Sequence, residues 1–224
     1  MVYYANSSTH IDWAGNKTWE STLTVGVLGL GAFEYLQNEV HGGTGGEQIR
    51  GWKHQVSDGG EPTLRYDLAR QQLINTGHSG LEVKTSQQVS VGYITEASMS
   101  LNVRFGEFST PWWTFKPDAA TYGEKAGRYG ITRKGVKTQF FWAGVSVKAR
   151  AYNAFVQGQF RHSEVTFDSD EVNHVLVETW VGYTQAFGNG YSLSYQLRAQ
   201  TSELRRGEGD RNMVWGGLQV GKAL

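Results

Sequence analysis

Apolar and polar residues alternate along most of this chain, with interruptions that divide it into long segments. From Trp19 onward, Leu23, Val25 and Val27 face one way and Glu20, Thr22 and Thr24 the other. The same period of two runs through 2–13, 63–74, 81–93, 99–105, 141–150, 175–183, 191–198 and 213–222. Such alternation marks a β-strand with two unlike faces. Ala14-Gly15-Asn16 and Gly188-Asn189-Gly190 supply the residues that tight turns between strands require. The pattern predicts about nine antiparallel strands, most of them longer than the roughly 5–6 residues of ordinary globular strands.

Three stretches do not alternate. Residues 30–61 are polar and Gly-rich and carry His41 and Glu47, 109–136 contain PWWTFKP and a Gly-, Arg- and Lys-rich part, and 153–171 form another polar loop. Connections of this length usually carry function or local order of their own. Strands flank 30–61 on both sides, so that stretch reads as a site.

The second face of the strands decides the class. Glu20, Arg65, Asp67, Glu82, Lys84, Arg104, Lys148, Arg150, Glu178 and Arg198 share one side by parity. A soluble ligand-binding barrel would turn them to water; a membrane barrel turns its apolar face to lipid and pairs the charges inside. Strands of this length suit the roughly 9–11 residues of a tilted bilayer crossing. Trp13, Trp19, Tyr93, Phe108, Tyr183 and Tyr191 stand near strand ends, where interfacial aromatics gather. The chain is therefore read as all-β: one antiparallel transmembrane barrel of the bacterial outer membrane over 1–224. Counting back from a periplasmic C-terminal end makes 203–211, 153–171 and 30–61 extracellular and the turn at Asn16 periplasmic. Because bacterial barrels have even strand numbers and periplasmic termini, an odd number of strands is expected ahead of Met1.

Composition removes several classes. Mean hydropathy is −0.45, and the absence of any apolar run of about 18 residues excludes a spanning helix but not a spanning strand. Lys and Arg total 21 against 21 Asp and Glu, so no global field draws nucleic acid. With no cysteine there is no disulfide, thiolate metal site or cysteine nucleophile. VYYANSSTHIDW after Met1 lacks the basic start and apolar core of a signal peptide, so an exported chain is expected to begin further upstream. A Gly-x-Ser-x-Gly elbow is missing, and no crossover helix pattern follows the glycines of GLGAF and GGTGG.

The stretch GVLGLGAFEYLQNEVHGGTGGEQIRGWKHQ, followed by EPTLRYDLAR, resembles the signature of the outer-membrane lipid A 3′-O-deacylases. It has a Gly-Val strand end, Gln-Asn ahead of a His, a Glu six residues after that His and a Gly-Trp-x-x-Gln segment. ARAYNAFVQGQF and TSELRRG resemble that family as well, so the likeness runs from about residue 19 to near the end. It implies a barrel of about twelve strands with an active site at the outer rim, beside an extracellular loop with a short helix that here falls at 30–61. The implied activity is hydrolysis of the ester that holds the 3′ acyloxyacyl group of lipid A, with a divalent cation, usually calcium. By position, His41 matches the family's base, Glu47 its supporting carboxylate, and Gln37 and Asn38 the pair ahead of the His.

Those residue types suit the chemistry. An imidazole titrates near neutral pH and can deprotonate water, and a carboxylate can orient it and stabilise its cation. A divalent cation polarises the ester carbonyl. An isolated His in a polar loop is ordinarily a solvated side chain; the surrounding pattern is what raises His41 above that. Arg50 and Lys53, with Arg205, Arg206 and Arg211, lie in extracellular loops by parity, where they read equally as contacts for lipid A phosphates and as an ordinary charged rim. His54, Asp58 and Glu61 are acidic or imidazole neighbours of the same loop, but their spacing fits no compact metal motif and reads as solvated loop. The family's Asn-Asp pair, its hydroxyl residue on the next strand and its early-loop Lys find no match here. They fall in about three strands that would precede Met1, and the cation ligands are expected mainly there. A non-catalytic barrel, a pore or lipid binder on the same scaffold, is the second reading.

Overall fold

The computed structural model describes residues 1–29, 56–57, 60–74, 76–108, 110–119, 138–161, 163, 165–187 and 191–222. They form one nine-stranded sheet in which each strand lies beside its sequence neighbour. The strands are β1 (Val2–Asp12), β2 (Lys17–Leu28), β3 (Glu61–Ile74), β4 (Leu81–Gly92), β5 (Ile94–Glu107), β6 (Thr138–Asn153), β7 (Val175–Ala186), β8 (Tyr191–Gln200) and β9 (Met213–Lys222). All eight pairings are antiparallel. Among the described residues β1 pairs with β2 alone and β9 with β8 alone.

Register keeps like faces together. Leu23 pairs with Tyr66, Leu101 with Val145, and Tyr195 with Leu218, so the apolar rows meet on the outer surface. Their side chains remain exposed there, whereas Arg65, Lys84, Arg104, Lys148, Arg150, Glu178 and Arg198 are buried on the concave side. Only lipid makes that arrangement favourable, because it puts apolar side chains outside and lets charges find partners within. Lys148 pairs with Glu178 at 2.5 Å, Arg198 with the same carboxylate at 2.6 Å, and Arg104 with Glu82 at 2.6 Å. The β1–β2 turn forms because Asn16 accepts φ 49° and the Asp12 carboxylate receives the Gly15 amide at 3.0 Å.

Two ends can be distinguished. The connections 29–60, Tyr93, 154–174 and 201–212 lie at one, here the upper rim; 13–16, 75–80, 108–137 and 187–190 lie at the other. The lower connection before β6 does not stay outside. Its described part, 110–119 with 3₁₀ turns at Trp112–Thr114 and Pro117–Ala119, turns into the concavity. Lys84 donates to the Phe115 carbonyl, Arg198 to that of Pro117 at 2.8 Å, and Arg104 to that of Thr110 at 2.7 Å. Asn102 reaches Asp118 at 3.1 Å and Lys116 pairs with Glu20. The segment thus bridges from β2 to β8. Phe115 packs with Phe140, Trp142 and Trp180 in an apolar island inside the polar interior. Trp180 lies over Gly144 and Trp142 over Gly182, where a Cβ would collide with either indole; bare glycines are what let the rings lie flat on the neighbouring strands.

Two aromatics expected at the membrane interface face inward instead. Tyr93 is 2% exposed beneath Phe155, and Phe108 packs against Phe140. Strand ends are also where the chain turns over the rim, and parity does not distinguish a ring pointing to lipid from one tucked under a turn.

Candidate functional site

The 30–59 excursion springs from a closed neck at the upper rim. Leu28 pairs with Glu61, and the Gly60 amide donates to the Gly29 carbonyl at 3.0 Å. Gly29 has φ 72°, and a Cβ there would run into Ser57, so this residue has to be glycine. His41, Glu47, Gln37, Asn38, Arg50 and Lys53 lie outside the described residues, as do His54 and Asp58 and most of the short helix expected at 30–61. The site they would form is fixed here only by where its loop leaves and re-enters the wall.

Glu61 corrects its sequence reading. It is no solvated loop side chain: it opens β3 and is 1% exposed. Parity explains this, because Glu61 shares the inward row with Thr63 and Arg65. One carboxylate oxygen accepts the amides of Phe160 at 3.2 Å and Arg161 at 2.7 Å. The connection after β6 is thereby pinned to the neck of the 30–59 excursion. The same connection begins with a short helix, α1 (Ala154–Gln157), within a stretch whose sequence reads as polar loop. Asn153 caps it by accepting the Phe155 amide at 3.1 Å, while Gln157 reaches back to the Asn153 amide at 2.9 Å.

The two later stretches that carry the family likeness, ARAYNAFVQGQF and TSELRRG, meet here. Asn153 donates to Glu203 at 2.9 Å, and Arg150 bridges Glu203 and Glu96, the latter at 2.7 Å. Gln200 adds a bond to Glu203 at 3.1 Å. Backbone bonds from Asn173 to Glu203 at 2.8 Å and from Arg205 to Glu171 at 2.9 Å join the last two upper connections. Burial and the nearby Glu96 carboxylate raise the Glu203 carboxyl to about 7, against the pull of the Arg150 guanidinium that the two acids share. Sequence reasoning missed Glu96, Asn153 and Glu203, and nothing local distinguishes Glu203 from the exposed Glu208 nearby.

In chemical terms the described rim is a scaffold. Arg150 is paired with Glu96 and Glu203 and the loops are tied together, and among the described residues no group of three or more His, Asp or Glu side chains is placed to hold a metal. Arg205, which donates to the Asp170 carbonyl at 3.3 Å, and Arg206 and Arg211 stand on the upper rim as parity predicts.

The family model described as "Outer membrane protein LpxR" matches residues 2–224. In structure the chain is similar to LpxR from Salmonella typhimurium, with a TM-score of 0.67 over 92% of this chain and 67% of that one. Sequence identity in that pairing is 20%, so it bears on the fold alone. No curated protein matches the chain.

Proposed function

Because the chain belongs to the outer membrane protein LpxR family, we propose that it is an outer-membrane esterase that removes the 3′-linked acyloxyacyl group of lipid A. The observation that carries this reading is the family match itself, which runs through the 30–61 stretch with its ordered Gln-Asn, His and Glu. Support from the geometry is positional. That stretch leaves the wall at the upper rim, the end with most of the long connections and hence the outer one, where lipopolysaccharide lies.

In this reading His41 takes a proton from water as the water attacks the 3′ ester, and Glu47 orients the imidazole and stabilises its charged form. Gln37 and Asn38 hold the substrate near the ester, and Arg50 and Lys53 meet its phosphates. Calcium, implied by the resemblance, would polarise the ester carbonyl. The described residues do not assemble a ligand set for it.

The non-catalytic alternative divides in two. A pore is opposed by the segment 110–119, which occupies the concavity between β2 and β8. A lipid binder without chemistry differs from the esterase in one measurable way. Mass spectrometry of lipid A from cells that make the full-length protein should show loss of the acyloxyacyl group, and His41→Ala should slow that loss by about 10²–10⁴-fold. Undiminished deacylation by the variant would remove His41 from the chemistry.

A further inference from the structure

We propose that the outer wall binds the phosphate of an anionic phospholipid in the lower, periplasmic leaflet, through Arg70 of β3 and the side chains that hold it. Among the described residues the outward rows of the strands carry few charges. Asp12, Lys17, Glu107 and Lys222 each open or close a strand. Arg70 alone stands inside one, four residues before β3 ends at Ile74. Register places it in the outward row, opposite Trp19 of β2, which is 43% exposed, and Gln87 of β4. For a tilted barrel strand that is about 10 Å above the lower rim. Phe105, Phe141, Tyr183 and Tyr195 form one row across β5 to β8, two to four residues from the lower strand ends. Such aromatic rows mark where hydrocarbon gives way to headgroups, so Arg70 stands at headgroup depth.

Arg70 is held in place there. One terminal nitrogen donates to Gln87 Oε1 at 2.9 Å, the other to Gln72 Oε1 at 2.8 Å, and the guanidinium lies 5.8 Å from the Trp19 ring centroid. A guanidinium accepts no hydrogen bond, so both carboxamides turn their oxygens toward it and their NH₂ groups away. Lys17, opposite Gln72 in the same outward face, adds an ammonium. Among the described residues no acceptor takes these NH₂ groups, the Lys17 ammonium or the remaining guanidinium N–H groups, and Arg70 has no carboxylate partner. What remains is a cluster of donors that lacks an acceptor. The nearby anion is Asp12, opposite Lys17, whose Oδ1 already takes the Gly15 amide. Arg70 and Lys17 against Asp12 leave one positive charge. A phosphodiester supplies both the acceptors and the single negative charge. A lipid brings that group to this depth with its acyl chains laid along the exposed Leu68, Val89 and Met99, which a free phosphate cannot use. The site needs only a barrel in a membrane, so it stands whether or not His41 is catalytic.

The test is native mass spectrometry of the folded full-length protein in a non-ionic detergent, with phosphatidylglycerol, phosphatidylethanolamine or inorganic phosphate added. Phosphatidylglycerol should be retained as a single-lipid adduct, about fivefold or more above phosphatidylethanolamine. Arg70→Gln removes the charge and should lower that retention about fivefold or more. Arg70→Lys keeps the charge but loses the planar fork, and should lower it about threefold or more. Lys222→Gln, at the lower end of β9 and away from the cluster, should leave it unchanged, and excess inorganic phosphate should not displace the lipid. The heat-dependent gel mobility of folded barrels confirms that the variants fold. Equal retention of the two lipids, retention unmoved by either Arg70 substitution, or displacement by inorganic phosphate would each overturn the proposal.

Discussion

Glu203 sits in the connection after β8, with Arg150, Asn153 and Gln200 around its carboxylate. Its carboxyl is raised from 4.5 to about 7, first by burial and then by Glu96. A group that holds its proton more tightly when folded stabilises the fold fully below its unfolded pKa and loses that contribution as pH rises through the folded one. Between pH 5 and pH 8 the wild type should therefore lose stability relative to Glu203→Gln, by no more than about 3 kcal/mol. Urea midpoints in detergent at the two pH values check this. Parallel loss in both proteins would mean that Glu203 is already ionised at pH 5. The local sequence around Glu203 reads only as polar loop, because the groups that perturb it, Glu96 and Arg150, lie on β5 and β6.

Element by element, alternation was enough to place the strands. It identified all nine of them and put the ten charged side chains on one side, where seven are now seen buried and paired or bonded to backbone. The connections were less legible. Residues 109–136 read as a loop ordered in places by its aromatics, and the described part does order, but by turning inward to partners as remote as Glu20 and Arg198. The consequence is a blocked interior. Replacing Lys84 and Arg198 together by Ala removes the donors to the Phe115 and Pro117 carbonyls and strips one cation from Glu178. Steady ion conductance should then appear in planar bilayers where the unaltered protein shows none. The fold should also weaken, by about 3–5 kcal/mol for breaking a buried ion pair. A silent double variant that still folds would mean that other residues seal the interior.

On the scale of the molecule, one inversion governs everything: apolar rows outside, charges within. Leu101 lies midway along β5, paired with Val145 on the outer face. Leu101→Arg should cost about 2–4 kcal/mol in lipid vesicles, as a charge near the bilayer midplane does, whereas Ser100→Ala on the opposite face of the same strand should cost about 1 kcal/mol. Unfolding by urea from vesicles measures both. An unaffected Leu101→Arg would place this face in water and revive the soluble barrel.

Strand number, strand length and the division of side chains into two faces are written in the period-two pattern, since a side chain's direction in a strand depends only on its own position and that of its neighbours. The order of motifs pointed to the family for a similar reason, being a property of the linear chain. Tertiary structure alone decided that Glu61 is buried and pins residues 160–161, that Asn153 and Glu203 meet, and that 110–119 fill the interior. Each of those contacts joins residues at least fifty positions apart or depends on which way a connection folds over the rim. Local alternation carries no information about either, because the register of distant strands and the curl of the whole sheet set both.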